Sequence, residues 1–285
     1  MKKLLALCLI LCLLTPAALA DSQPLAVTSF YPIYGMAVNL LKDVPVTVRN
    51  LAAPDVGCLH DYTLSTQDMR TLHEARVLLI NGAGMESFLG QVAGQFPQLA
   101  QVEASRGIEL VDEGNPHLWL DAQAAILMVH NLADGLCEAF PEHGELIRAN
   151  EAAYTQRLNS LDAELKAGLK DLPRRDIFTF HEAFPYFAKA YGFHVAGVIN
   201  REPGDALSPA QLAQLVKDLK ALGVPPLFIE PQYPELAAQT LARETGAKVY
   251  TLDPIVTGPL GEEALTYYEE GMRRNMATLQ EALGE

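Results

Sequence analysis

Short β-rich runs alternate with helical patterns along this chain, and the alternation limits the folds that it can adopt. A helical pattern is clearest at 122–140, where apolar residues recur at three- and four-residue intervals. A second helix is expected at 208–222, with Ser208 as its N-cap and Pro209 at its first helical position. Strands separated by helices pair in parallel and are covered by those helices. The sequence therefore predicts an α/β protein. The strands are expected at 25–30, 46–51, 77–81, 108–111, 176–180, 194–199, 227–230 and 248–252.

A long run of helix formers, 145–172, divides the chain near its middle and contains no proline before Pro173. Strand–helix units precede and follow it, so we interpret it as a helix that connects two α/β lobes. The alternative is one more surface helix of a single domain. The predicted boundaries are 21–143 for the first lobe, 144–172 for the linking helix and 173–285 for the second lobe.

The first 20 residues have the pattern of a secretory signal peptide. Lys2 and Lys3 precede a short apolar run, and Ala18-Leu19-Ala20 forms a small-residue cleavage site. The apolar run is too short to cross a bilayer. We therefore predict a soluble exported protein, located in the periplasm. A lipid anchor on Cys12 is the alternative, although the small residues expected just before such a cysteine are missing.

The net charge of the chain is −14, and removal of Lys2 and Lys3 with the signal leaves −16. Such a chain is a poor candidate for binding nucleic acid. The charge is compatible with a cation ligand. Cys58 and Cys137 remain after cleavage, and two cysteines in an oxidising compartment usually form a disulfide. Two separate thiols, or Cys58 as a metal ligand, are the alternatives.

Four residues that can bind a metal lie where a cleft is expected. His181 and Asp253 directly follow predicted strands, and ligands in open parallel sheets bind beyond the carboxyl ends of strands. His60 and His117 lie in loops of the first half. Three imidazoles and one carboxylate complete a four-coordinate shell for zinc, and the carboxylate also admits manganese. The other histidines, His73, His130, His143 and His194, are expected to be packed or surface residues.

Several segments, in one order, resemble the zinc- and manganese-binding solute-binding proteins of ABC importers. NPHLWLD and HEAFPYFAKAYGF are specific, whereas LAVTSFYPIYGMAVNL, LHDYTLSTQDM, FIEPQY and GAKVYTLDP are supportive. The resemblance implies two α/β lobes joined by one long rigid helix, with the metal in the interlobe cleft. It also implies that the ligands are His60, His117, His181 and Asp253. A His- and acid-rich loop found in many zinc members is absent here.

The resemblance implies a monomeric, non-enzymatic protein that captures Zn2+ and delivers it to a membrane permease. Mn2+ is the alternative cargo. An exported zinc-dependent hydrolase is a rival class, but four protein ligands leave little room for a catalytic water. A metal-stabilised adhesion or structural protein is the second rival. Glu230, at the end of its strand, is either a support for the ligands or a solvated residue.

Overall fold

The computed structural model describes residues 23–53, 56, 59, 62–112, 114–199, 208–232 and 235–284. The predicted signal peptide, Cys58 and His60 lie outside these residues. None of the helices in the described part is long and apolar enough to cross a membrane.

The first half of the chain forms a parallel four-stranded sheet in the order β2-β1-β3-β4. Its two central strands are apolar runs, LAVT and VLLI, and every residue in them is buried. Both faces of the sheet are covered, as expected for a parallel sheet. The strands are β1 (Leu25–Thr28), β2 (Thr47–Asn50), β3 (Val77–Ile80) and β4 (Ala100–Glu103), and the helices between them are α1 (Tyr31–Leu40), α2 (Thr66–Glu74) and α3 (Leu89–Gln95).

The prediction of a strand at 108–111 was wrong. The last strand of this sheet is β4, at Ala100–Glu103, which pairs with β3. β4 has the sequence AQVE and is mostly exposed at the edge of the sheet, so it lacks the apolar run that marks a buried strand. A turn follows it, in which Gly107 has a positive φ and the Ile108 N–H bonds to the Ser105 carbonyl. The apolar residues at 108–111 come after this turn.

The second half forms another parallel four-stranded sheet, with the equivalent order β6-β5-β7-β8. Helix α7 begins with the predicted Ser208 cap, where Ser208 and Gln211 form a reciprocal capping box. The strands are β5 (Asp176–Thr179), β6 (His194–Val198), β7 (Leu227–Ile229) and β8 (Val249–Thr251). The helices beside them are α6 (Pro185–Tyr191), α7 (Pro209–Ala221) and α8 (Glu235–Thr245).

Three long helices join the two sheets: α4 (Ala122–Ala139), α5 (Gly144–Leu169) and α9 (Ala264–Leu283). The predicted long helix is present as α5, between the two sheets in sequence. Helix α9 follows the second sheet but packs against α1 and α5. The larger hydrophobic core therefore includes residues from both halves, and a smaller core lies within the second sheet and its helices. The architecture is two parallel-sheet lobes around a shared helical layer. The lobe boundaries at 143 and 172 remain a prediction.

Cys137 has a free thiol, so the disulfide expected with Cys58 is wrong. Cys137 lies in the last turn of α4, and its Sγ lies 3.8 Å from the carbonyl oxygen of Gly144, where α5 begins. The thiol is thus packed against the local α4–α5 connection.

Candidate metal centre

His117 is held at the start of a short 3₁₀ turn, Leu118–Leu120, by the side chain of Asn115. The Oδ1 of Asn115 accepts the backbone N–H of His117 and lies 3.0 Å from ring Nδ1. The Nδ2 of Asn115 donates to the carbonyl of Glu182. Because Oδ1 is the acceptor for the backbone bond, Nδ1 carries the ring proton. The lone pair of the His117 imidazole is then on Nε2, as in many metal-binding histidines.

His181, two residues after β5, brings a second imidazole to the same point. Its Nε2 lies 3.3 Å from Nε2 of His117, and the two rings meet edge to face with centroids 5.1 Å apart. Both side chains are buried. Two imidazoles on one tetrahedral zinc, each about 2.0–2.1 Å from the metal, have nitrogens about 3.3–3.4 Å apart. The two nitrogens therefore have the separation that a shared zinc requires.

Asp253 follows β8 in a tightly held loop and is half-buried. Its Oδ1 accepts the N–H of Ile255 at 2.7 Å, and Asn275 of α9 bonds to both its backbone N–H and its carbonyl. Ile255 has a φ of 58°, a conformation that β-branched residues rarely adopt. Such strain occurs where surrounding structure imposes it. Burial raises the pKa of the Asp253 carboxyl.

Trp119 connects the loops of His117 and Asp253. Its indole N–H donates to the carbonyl of Pro254 at 2.7 Å, and its own carbonyl accepts the hydroxyl of Tyr268 in α9. Its ring lies 5.2 Å from that of His117. The loop that carries Asp253 is thus fastened to the loop that carries His117.

The structure brings together two of the four predicted ligands, His117 and His181, and places Asp253 in a loop bonded to that of His117. His60 lies outside the described residues. Within the part of the chain that the structure describes, no group of three His, Cys, Asp or Glu side chains has metal-binding geometry. The four-residue ligand set therefore remains a prediction.

The four histidines expected to have other roles lie away from this pair. His130 bonds to Glu151 between α4 and α5, and His194 bonds to Asp176 at the opposite end of β5 from His181. His73 lies in the last turn of α2, and His143 lies in the turn before α5.

Sequence reasoning missed the role of Asn115 and left that of Glu230 undecided. Asn115 precedes His117 by two residues in the NPH motif, which is the only signal that could have pointed to it. Glu230 is buried, and burial raises its pKa well above the ordinary value, with the nearby charge of Asp253 acting in the same direction. The interpretation of Glu230 as a solvated residue was wrong.

Comparison with known proteins identifies the family. The family model described as "Zinc-uptake complex component A periplasmic" matches residues 26–282. The chain belongs to this family. Its members are solute-binding components of ABC importers and are not enzymes.

Individual relatives of this chain differ in the metals for which they are named. The zinc-binding protein AdcA of Streptococcus pyogenes serotype M18 is 28% identical over 92% of this chain, which spans 56% of that protein. The iron-binding protein YfeA of Yersinia pestis is 29% identical over 83% of this chain and 81% of its own length. The solved structure of FpvC from Pseudomonas aeruginosa in complex with Ni2+ has a TM-score of 0.82 at 29% identity, covering 92% of this chain and 97% of that one. The family fold alone therefore does not fix the metal.

Proposed function

We propose that this protein captures Zn2+ outside the cytoplasmic membrane and delivers it to the permease of an ABC importer. The observation that carries the proposal is the 3.3 Å separation of the His117 and His181 Nε2 atoms. One imidazole comes from each half of the chain. A cation bound there would join the two lobes, as expected for reversible capture in a cleft.

The proposed ligands are His60, His117, His181 and Asp253. Imidazole nitrogen favours zinc over manganese, and the Irving–Williams order points the same way. Mn2+ is the alternative cargo of the same transporter class. The protein is proposed to act as a periplasmic monomer, with a membrane permease as its partner and without nucleic acid.

Calorimetric titration of the chelator-treated protein with Zn2+ tests the capture step. His117→Ala and His181→Ala should each weaken Zn2+ binding by more than about 100-fold, because changes to residues behind the ligands already cause losses of about 10–100-fold. His130→Ala is the matched control, since this exposed histidine of α4 bonds to Glu151 of α5 and is not one of the proposed ligands. Wild-type affinity in His117→Ala or His181→Ala would remove that residue from the site.

Delivery requires a separate measurement in cells. Uptake of radioactive zinc should fall when the wild-type gene is replaced by the His117→Ala version, with protein levels unchanged. Undiminished uptake would contradict a transport function even if the purified protein bound zinc.

A further inference from the structure

Glu230 lies at the carboxyl end of β7, beside the strand that leads to His181. β7 lies between β5 and β8 in the second sheet. Thr179 of β5 pairs with Phe228 of β7, and His181 and Glu230 each follow two residues later, just past the ends of these strands. The carboxyl ends of neighbouring parallel strands meet at one edge of a sheet, where ligands bind in open α/β folds. His181 and Glu230 therefore lie at the same edge of the second sheet.

The carboxyl group of Glu230 is buried with one oxygen unpaired among the described residues. The residue is only 2% exposed, and its Oε1 has no hydrogen-bond partner among the residues that the structure describes. Asp253 adds a second negative charge nearby. A buried carboxylate is strongly unfavourable unless hydrogen bonds or an opposite charge compensate it. A cation that binds beside Asp253 would supply such an opposite charge.

Glu86 shows how the same fold holds a buried carboxylate for structural purposes. It is 5% exposed, near the carboxyl end of β3 in the first sheet. It accepts hydrogen bonds from the Ser29 hydroxyl and from the backbone N–H groups of Asn81 and Gly82.

Burial alone therefore does not distinguish Glu230. Asp162 and Glu269 are also buried with one unpaired oxygen, but each forms an ion pair, with Lys166 and Arg157 respectively. Among the described residues, Glu230 has an unpaired oxygen and no ion pair.

We propose that Glu230 is a specificity-determining residue of the metal site, whose carboxylate supplies negative charge to the divalent cation beside Asp253. This inference rests on the proposed function. The described residues contain no preformed three-ligand group, so we assign Glu230 a charge effect on the cation. A second carboxylate favours cations that prefer oxygen, such as Mn2+, more than it favours Zn2+. Glu230 would therefore widen the range of metals that an imidazole-rich site accepts.

The experiment compares Glu230→Gln with Glu86→Gln, because each variant replaces one buried carboxylate with a neutral group of the same shape. Each protein is titrated with Zn2+ and with Mn2+ separately, and the thermal unfolding of its metal-free form is measured. Glu230→Gln should weaken Mn2+ binding by about 10–100-fold, and Zn2+ binding by less, while the metal-free protein melts at the same or a higher temperature. Glu86→Gln should show the opposite pattern, with a lower melting temperature and near wild-type affinities.

Other outcomes overturn the inference. Unchanged affinity for both metals in Glu230→Gln would show that the cation does not depend on this charge. A lower melting temperature or failure to fold would show that Glu230 serves the metal-free structure. If His117→Ala loses binding and Glu230→Gln does not, only this inference fails. If the wild type binds neither metal, the proposed function fails with it.

Discussion

The two sheets have equivalent strand orders, but the equivalent threonines and the buried glutamates at their carboxyl edges differ in hydrogen bonding. In the first sheet, Thr28 ends β1, and its hydroxyl donates to Asn50 at the end of β2 at 2.8 Å. Thr179 ends β5 at the equivalent place in the second sheet. Its partner on the neighbouring strand is Val198, whose side chain cannot accept a hydrogen bond. Among the described residues, the Thr179 hydroxyl has no hydrogen-bond partner.

The acidic side chains extend this difference. Glu86, on the first edge, receives three hydrogen bonds, whereas Glu230, on the second edge, is left with an unpaired oxygen. Unpaired buried polar groups are rare in folded proteins, and each needs a cause. The buried glutamates therefore differ: the protein itself supplies the hydrogen bonds of Glu86, whereas Glu230 keeps an oxygen without a partner among the described residues, as does Asn81 with its Oδ1 on the first edge.

The largest expected effect concerns the side chain that joins the two edges. Trp119→Ala should lower the free energy of unfolding by about 3–5 kcal/mol, because Trp119 is fully buried and packs edge to face on Phe30. Trp119→Phe should recover most of this loss but not the hydrogen bond to Pro254. Since Trp119 is the only tryptophan, unfolding is best followed by circular dichroism. Equal losses in both variants would mean that the hydrogen bond, rather than the packing, holds the edges together.

The next effect tests the hydrogen bonds that Glu86 accepts on the first edge. Glu86→Gln should destabilise the metal-free protein by about 1–3 kcal/mol. The substitution replaces one carboxylate oxygen with an NH2 group, so one of the groups that now donates to Glu86 would lose its acceptor. Chemical denaturation measures the difference. A stability equal to that of the wild type would show that these hydrogen bonds contribute little, and the contrast with Glu230 would weaken.

A matched pair of smaller substitutions compares the two equivalent threonines. Thr28→Val should cost about 1 kcal/mol, since it leaves the Asn50 acceptor without its donor. Thr179→Val removes a hydroxyl without a partner among the described residues, so its effect should lie within about 0.5 kcal/mol or be stabilising. The same denaturation experiment applies to both. A larger loss in Thr179→Val would contradict the difference between the edges.

The smallest effect is a dependence on pH. Burial raises the pKa of Glu86, so the folded protein holds the proton more tightly than the unfolded chain does. The ionised group therefore lowers stability above its raised pKa, and this penalty is relieved as the pH falls towards the ordinary value of about 4.3. Gln does not titrate. The stability difference between wild type and Glu86→Gln should consequently grow as the pH is lowered from about 7 to about 5; a constant difference would argue against the raised pKa.

The sequence predicted the parts of the fold that have a strong local pattern. Central strands are continuous apolar runs, and α4 and α7 carry recognisable caps at Asp121 and Ser208. The edge strand β4 was misplaced because AQVE has no such pattern and is strand only through pairing with β3. The disulfide was wrong because an even number of cysteines does not reveal which side chains meet.

The site was partly predictable for a related reason. His117, His181 and Asp253 follow strands or a distinctive motif, so their positions at a cleft could be inferred. The state of Glu230 could not, because burial at a strand end depends on which strands become neighbours. Nor does sequence show that Asn115 fixes the ring proton of His117, since that depends on the geometry of one turn.

The packing of α9 on α1 has a consequence for the order in which the protein folds. The side chain of Asn39 bonds to the carbonyl of Leu265, and the hydroxyl of Tyr34 accepts the N–H of Gly261, so these contacts close loops of 226 and 227 residues. Arg157 of α5 bonds both Asn39 and Glu269 at the same junction. Contacts so distant in sequence form slowly and only after most of the chain is available. During synthesis, the face of α1 that packs against α9 therefore stays uncovered until this last helix has been made. The first lobe can complete its core only after the second lobe has been synthesised.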